Sequence, residues 1–132
     1  MQTRKGQEIE DESMQIIESE IGSHPYNEME WPIVRRIIHS TADFDFAREN
    51  KLLFLNVAIS NGINALKNGQ SIVADVNGVI GLMNKQNPKD FGNNLICNIS
   101  DQSLMESAKK AGKTRAQMSM RVAEKEIDGG IV

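Results

Sequence analysis

One imidazole in this chain stands where it can do proton chemistry. In "VRRIIHSTADFDF", Val34 to Phe46, two arginines lead into two isoleucines, and His39 follows where the helical pattern gives out. The carbonyl end of a helix favours a positively charged ring, and Asp43 and Asp45 push the same way. Arg35, four residues earlier on the same helical face, opposes them. A histidine balanced in this way suits general acid work. The plain alternative is a helix-terminal cap, and a lone imidazole does not decide between the two. The other histidine, His24, precedes Pro25 in a loop and reads as solvated.

Three other stretches carry chemistry-bearing residues. Asp43 and Asp45, two apart in an extended segment, would point their carboxylates the same way. Phe44 and Phe46 alternate with them, however, and that is the ordinary pattern of a turn or strand with its apolar side buried. "GKTRAQ", Gly112 to Gln117, contains Gly-Lys-Thr but not the upstream glycine of a phosphate-binding loop, and it follows a helix rather than a strand. It does offer Thr114 as an N-cap with Arg115 in the first turn. Free N–H groups beside a guanidinium suit a carboxylate or phosphate; a cap plus a surface arginine is equally open. "SIVADVNGVIG", Ser71 to Gly81, puts Asp75 near a strand end with Asn77 and Gly78 in the turn, without dinucleotide-loop spacing. Asp75 either orients a ligand or caps that turn. No spacing of His, Cys, Asp or Glu suggests a metal site.

The elements that must hold these residues follow from periodicity. "EIEDESMQIIESEIG" predicts a helix on Met14, Ile17 and Ile21, stopped by Gly22. A second helix runs from about Glu30 to Ile38, with Pro32 tolerated in its first turn. Trp31, Val34 and Ile38 make its apolar face, widened by Ile33 and Ile37. "KLLFL", "SIVADV" and "NLICNI" read as short apolar strands, and "GGIV" as the opening of another. Between them lie helical stretches at "VAISNGINALKNG", "NGVIGLMNKQNP" (helix or irregular turn), "SDQSLMESAKKAG" and "TRAQMSMRVAEKEID". Ser100 and Asp101 are plausible caps of the third, which closes on Gly112. Strands alternating with helices predict an α/β fold. The expectation is a single three-layer domain over 1–132, a mainly parallel sheet flanked by helices and preceded by two N-terminal helices. Ligands in such sheets gather at the carboxyl ends of the strands, here after Leu55, Val76 and Ile99.

Bulk properties narrow the function classes. At 132 residues the chain suits one core, and a net charge of −3 lacks the basic footprint expected of a nucleic-acid binder. Apolar runs are too short for a membrane span, and "MQTRKGQEIEDES" is no secretory signal. A single cysteine, Cys97, suggests a reducing, cytoplasmic setting and reads as buried packing.

In order along the chain, "ESMQIIESE", "WPIVRRIIHSTADFDF", "GINALKNGQSIVADVNGVIG", "ISD", "AGKTRAQMSMRVA" and "GGIV" resemble the precorrin-8X methylmutases, of which cobalt-precorrin-8 methylmutase is the anaerobic form. The resemblance implies an isomerase of cobalamin (vitamin B12) biosynthesis. Such an enzyme moves a methyl group from carbon 11 to carbon 12 of a tetrapyrrole macrocycle, giving hydrogenobyrinate or cobyrinate, with no separate cofactor. It implies His39 as the acid that protonates the macrocycle, with Ser13, Arg115 and, more weakly, Asp75 as substrate contacts. It also implies a homodimer. Family chains continue past "GGIV" into a "GNAPTAL"-like segment, so a chain ending here would leave its last strand bare. "NVAIS" also stands where a Ser-Pro-Gly-like turn is expected. The alternative is a truncated, impaired relative that binds a corrinoid without turnover. A third possibility is an unrelated α/β nucleotide-binding or regulatory domain.

Overall fold

A computed structural model describes residues 3–48, 51–55 and 57–132. By its contacts the chain resolves into two compact units, Met1–Ile59 and Ser60–Val132.

The first unit is built on a helix pair. α1 (Arg4–Ile21) begins a turn earlier than periodicity predicts, because Thr3 caps it through a 3.1 Å bond from the Gly6 N–H. Gly22 ends it at φ 66°, a conformation that favours glycine. α2 (Trp31–Thr41) carries Pro32 in its first turn, where no helical N–H is lost. Met14 and Ile17 of α1 meet Val34 and Ile38 of α2, and Ala47 completes the buried cluster. Ile33 does not widen this face as expected; it is 38% exposed, because Val34 and Ile38 already fill the contact. "KLLFL" is likewise not a strand. Leu52 and Phe54 pack on the helix pair while Leu53 and Leu55 face out. The run keeps a strand's alternation but pairs with no strand among the described residues, so it has no sheet to join. Asn56, within the "NVAIS" turn, lies outside the described residues.

The second unit holds the sheet. α3 (Ala58–Lys67) leads into it, then β1 (Ile72–Val73), α4 (Asn77–Leu82), α5 (Gln86–Phe91), β2 (Leu95–Ile96), α6 (Gln102–Ala111), α7 (Arg115–Val122) and α8 (Glu124–Ile127). β1 and β2 pair in parallel, Ile72 with Leu95 and Val73 with Ile96. On the other edge of β1, Ile131 forms a parallel bridge with Ile72. The bonds alternate accordingly. Ile72 and Ala74 donate to Asn94 and Ile96, and Val73 donates to Ile131. "SIVADV" is thus the central strand and "GGIV" does open a strand-like segment, as predicted. Gly130 admits the close approach, since a Cβ there would stand 2.3 Å from the Glu126 carbonyl and 2.9 Å from that of Ser71. The fold is α/β with a small parallel sheet, helical crossovers between its strands, and two helices ahead of it.

Two further details depart from the sequence reading. "TRAQMSMRVAEKEID" is broken at Ala123 into α7 and α8 rather than forming one helix. Cys97, just after β2, is half-buried rather than fully buried.

Candidate functional site

His39 lies in the last turn of α2, one residue after Ile38, whose side chain is 1% exposed. With Val34 and Ile38 anchored in the core, the imidazole is left half-buried at its margin. On α1, Ser13 occupies the equivalent place beside buried Met14. The helix pairing brings the two together: Ser13 Oγ stands 2.8 Å from His39 Nδ1, across 26 residues of sequence. This is an ordinary hydrogen-bond distance. The chain turns away immediately afterwards, with Ala42 in the left-handed region and its N–H on the Ile38 carbonyl at 2.8 Å.

The charged neighbours are engaged elsewhere. Arg35 pairs with Glu18 and Arg36 with Glu10, so both arginines tie α2 to α1. Asp43 and Asp45 do not form a two-carboxylate site. Asp43 caps the 3₁₀ turn Phe44–Ala47 by accepting the Asp45 N–H at 2.9 Å, and Asp45 pairs with Arg48 at 3.1 Å. The segment is a turn rather than extended, because Asp43 offers the backbone a local acceptor. His24 is also not a solvated loop residue. Its ring stacks on Trp31 with centroids 3.8 Å apart, and its Nδ1 is shut from solvent without a hydrogen-bond partner.

In the second unit Asp75 follows β1 and is exposed at the strand's carboxyl end. It shares a cleft of about 440 Å³ with Lys113, Gln117, Met120 and Arg121. Periodicity offered no reason to single out Lys113 and Arg121; the signal available was two cations flanking Arg115 within eight residues of one another. Arg115 opens α7, as predicted, and its guanidinium donates to the Ile99 carbonyl at 2.9 Å. The helix start is less open than expected. Thr114 and Gln117 close a reciprocal capping box, with the Gln117 N–H on Thr114 Oγ1 at 3.1 Å. Nearby, Asn77 Nδ2 donates to Ser100 Oγ at 2.6 Å, joining the turn after β1 to the one after β2. Ser13 and His39 therefore form one bonded pair in the first unit, while Asp75 and Arg115 stand on neighbouring elements of the second. Among the described residues no group of three or more His, Cys, Asp or Glu side chains could hold a metal ion. No helix described is long and apolar enough to cross a membrane.

These features define a class first. The fold matches that of a solved "precorrin-8X methylmutase related protein" with a TM-score of 0.75 at 21% identity, over 89% of this chain and 60% of that one. It also matches precorrin-8X methyl mutase from Thermus thermophilus, with a TM-score of 0.77 and 31% identity over 92% of this chain and 57% of that one. The chain belongs to the precorrin-8X methylmutase family, whose model matches residues 8–132. The cobalt-precorrin-8 methylmutase of Priestia megaterium is 44% identical over 129 residues, 98% of this chain and 56% of that protein. That of Leptospira interrogans serovar Lai is 42% identical over 121 residues, 92% and 54% respectively. The chain thus spans little more than half the length of these relatives.

Proposed function

We propose that this chain carries the acid and part of the substrate cleft of a methylmutase of cobalamin biosynthesis. Its substrate is precorrin-8X or cobalt-precorrin-8, any cobalt arriving as part of the substrate. In the reaction a methyl group leaves carbon 11 of the macrocycle and bonds to carbon 12, giving hydrogenobyrinate or cobyrinate. Atoms and electrons balance within one molecule, so no co-reactant is needed. The protein's task is to hold the macrocycle and lend it a proton. His39 is the donor: protonation withdraws electron density from the ring system and promotes the shift, and the proton returns once the methyl has moved.

The observation that carries this reading is the half-buried imidazole of His39 held by Ser13 at 2.8 Å, in a chain of this family. A ring held at one nitrogen keeps the other in a defined direction. Arg115 and Asp75 are proposed as substrate contacts, and Ser13 belongs with His39. The substrate is a polycarboxylate, and a guanidinium at a helix start with lysine and arginine nearby suits such groups. A homodimer and a cytoplasmic setting complete the proposal; family resemblance supports the former, and the single cysteine the latter.

The test is visible-absorption titration of this chain with precorrin-8X and with cobalt-precorrin-8, alongside His39→Ala. Removing the methyl from carbon 11 makes that carbon trigonal and lengthens the conjugated system, so turnover changes the spectrum. We expect conversion by the wild type and a loss of roughly 100-fold or more in His39→Ala, the usual scale of general acid catalysis. Binding without conversion by the wild type would replace the isomerase reading with a corrinoid-binding one.

A further inference from the structure

The hydrogen bond at His39 is made by Nδ1, and this decides which nitrogen is available for chemistry. Hydroxyls elsewhere on α1 and α2 bond to their own backbone: Ser19 to the Ile16 carbonyl, Ser40 to that of Arg36, Thr41 to that of Ile37. Ser13 instead reaches from α1 to α2. Its backbone position is firm, because the adjacent Met14 and nearby Ile17 are in the core, and the same core holds Ile38 beside His39.

We propose that Ser13 is a positioning residue rather than a substrate contact: its hydroxyl oxygen accepts the Nδ1 proton of His39 and leaves Nε2 as the nitrogen that delivers the catalytic proton. The inference rests on His39 being the acid. In the imidazolium both nitrogens carry protons. The Nε2–H bond breaks, the proton goes to the macrocycle, and the ring is left as the neutral Nδ1–H tautomer. The bond to Ser13 is the same before and after, so neither ring nor hydroxyl must move during transfer. When the methyl has shifted, the proton returns to Nε2 and the imidazolium is restored. A carboxylate in place of Ser13 would stabilise the imidazolium and make it a poorer donor. A hydroxyl orients the ring with far less stabilisation of the charged form.

The tautomer can be read directly by long-range proton–nitrogen NMR on chain labelled with ¹⁵N-histidine. His24 and His39 are the two histidines, so His39→Gln assigns the signals. Well above the imidazole titration range, we expect the wild type to hold His39 as the Nδ1–H tautomer. Ser13→Ala should revert to the Nε2–H form that free imidazole side chains favour in water, and Ser13→Thr should keep the wild-type form. In turnover, Ser13→Ala should lower kcat about tenfold with KM unchanged, and Ser13→Thr should restore most of it. An Nε2–H tautomer in the wild type would overturn the proposal. So would a Ser13→Ala variant that raises KM with kcat intact, which would make Ser13 a substrate contact. The spectra need no substrate, so they judge this hydrogen bond separately from the isomerase reading, which His39→Ala decides.

Discussion

Ile38 is 1% exposed and precedes His39 directly, so the imidazole's position depends on how well that aliphatic side chain is packed. Truncating it in Ile38→Ala removes buried methyl groups and leaves a cavity among Met14, Ile17 and Val34, at a cost of about 2–5 kcal/mol. Urea unfolding should show that loss as a lower midpoint with an unchanged slope. A cost under about 0.5 kcal/mol would mean that the site collapses around the smaller residue. The half-exposed ion pairs of the same helices are a different case. Arg35 with Glu18 and Arg36 with Glu10 are partly in water, so each contributes modestly to stability and chiefly sets how α1 and α2 align.

The starts of α1, α6 and α7 are set by side-chain caps, and one of these caps titrates. Asp101 caps α6 by accepting from Ser103, and those hydrogen bonds, side-chain first and then backbone, hold its carboxyl below the ordinary value of 3.8. A folded-state value below the unfolded one means the contribution is present above pH 3.8 and is lost as pH falls through the lower folded value. Asp101→Asn supplies a cap that does not titrate. The melting-temperature gap between wild type and this variant should therefore narrow as the solution is acidified through that range. A gap independent of pH would show that the charge contributes nothing to the cap. These caps were legible beforehand, since Thr114, Asp101, Gly22 and Gly112 all stand where local backbone chemistry puts them. The failed strand at "KLLFL" was not. Its alternation is real, with Leu52 and Phe54 inward, but strand identity requires a partner and a single run cannot reveal one.

The chain as a whole carries a net charge of −3, while its proposed substrate is a polycarboxylate. Long-range repulsion and local attraction thus oppose each other. The Debye length is only about 8 Å at 0.15 M salt, so distant charges fade first. Lys113 and Arg121 outnumber Asp75 around the cleft in the second unit, and Arg115 opens the same helix. Local attraction should win: substrate affinity should fall severalfold as salt rises from about 0.05 to 0.5 M, and fall less steeply in Arg115→Ala. Absorbance titrations across that range decide it. Affinity that rises with salt would mean the net charge governs, and that the cations around Asp75 do not serve the ligand.

Local order and family were determined by the residues themselves. Helical spacing of Met14, Ile17, Val34 and Ile38, the caps and the glycine stops depend on neighbours a few positions away. The ordered motifs around His39 and Arg115 were enough to point to the methylmutases, and the family match over residues 8–132 agrees. What periodicity could not supply was anything that depends on two distant segments meeting. Helical spacing places Ser13 and His39 each at the edge of a face, but only the packing of α1 on α2 makes them a bonded pair. The same packing paired Arg35 with Glu18 and Arg36 with Glu10, and it laid His24 on Trp31. Side-chain partnership across long loops is set by the shape of the buried core, and that shape exists only once the helices have docked.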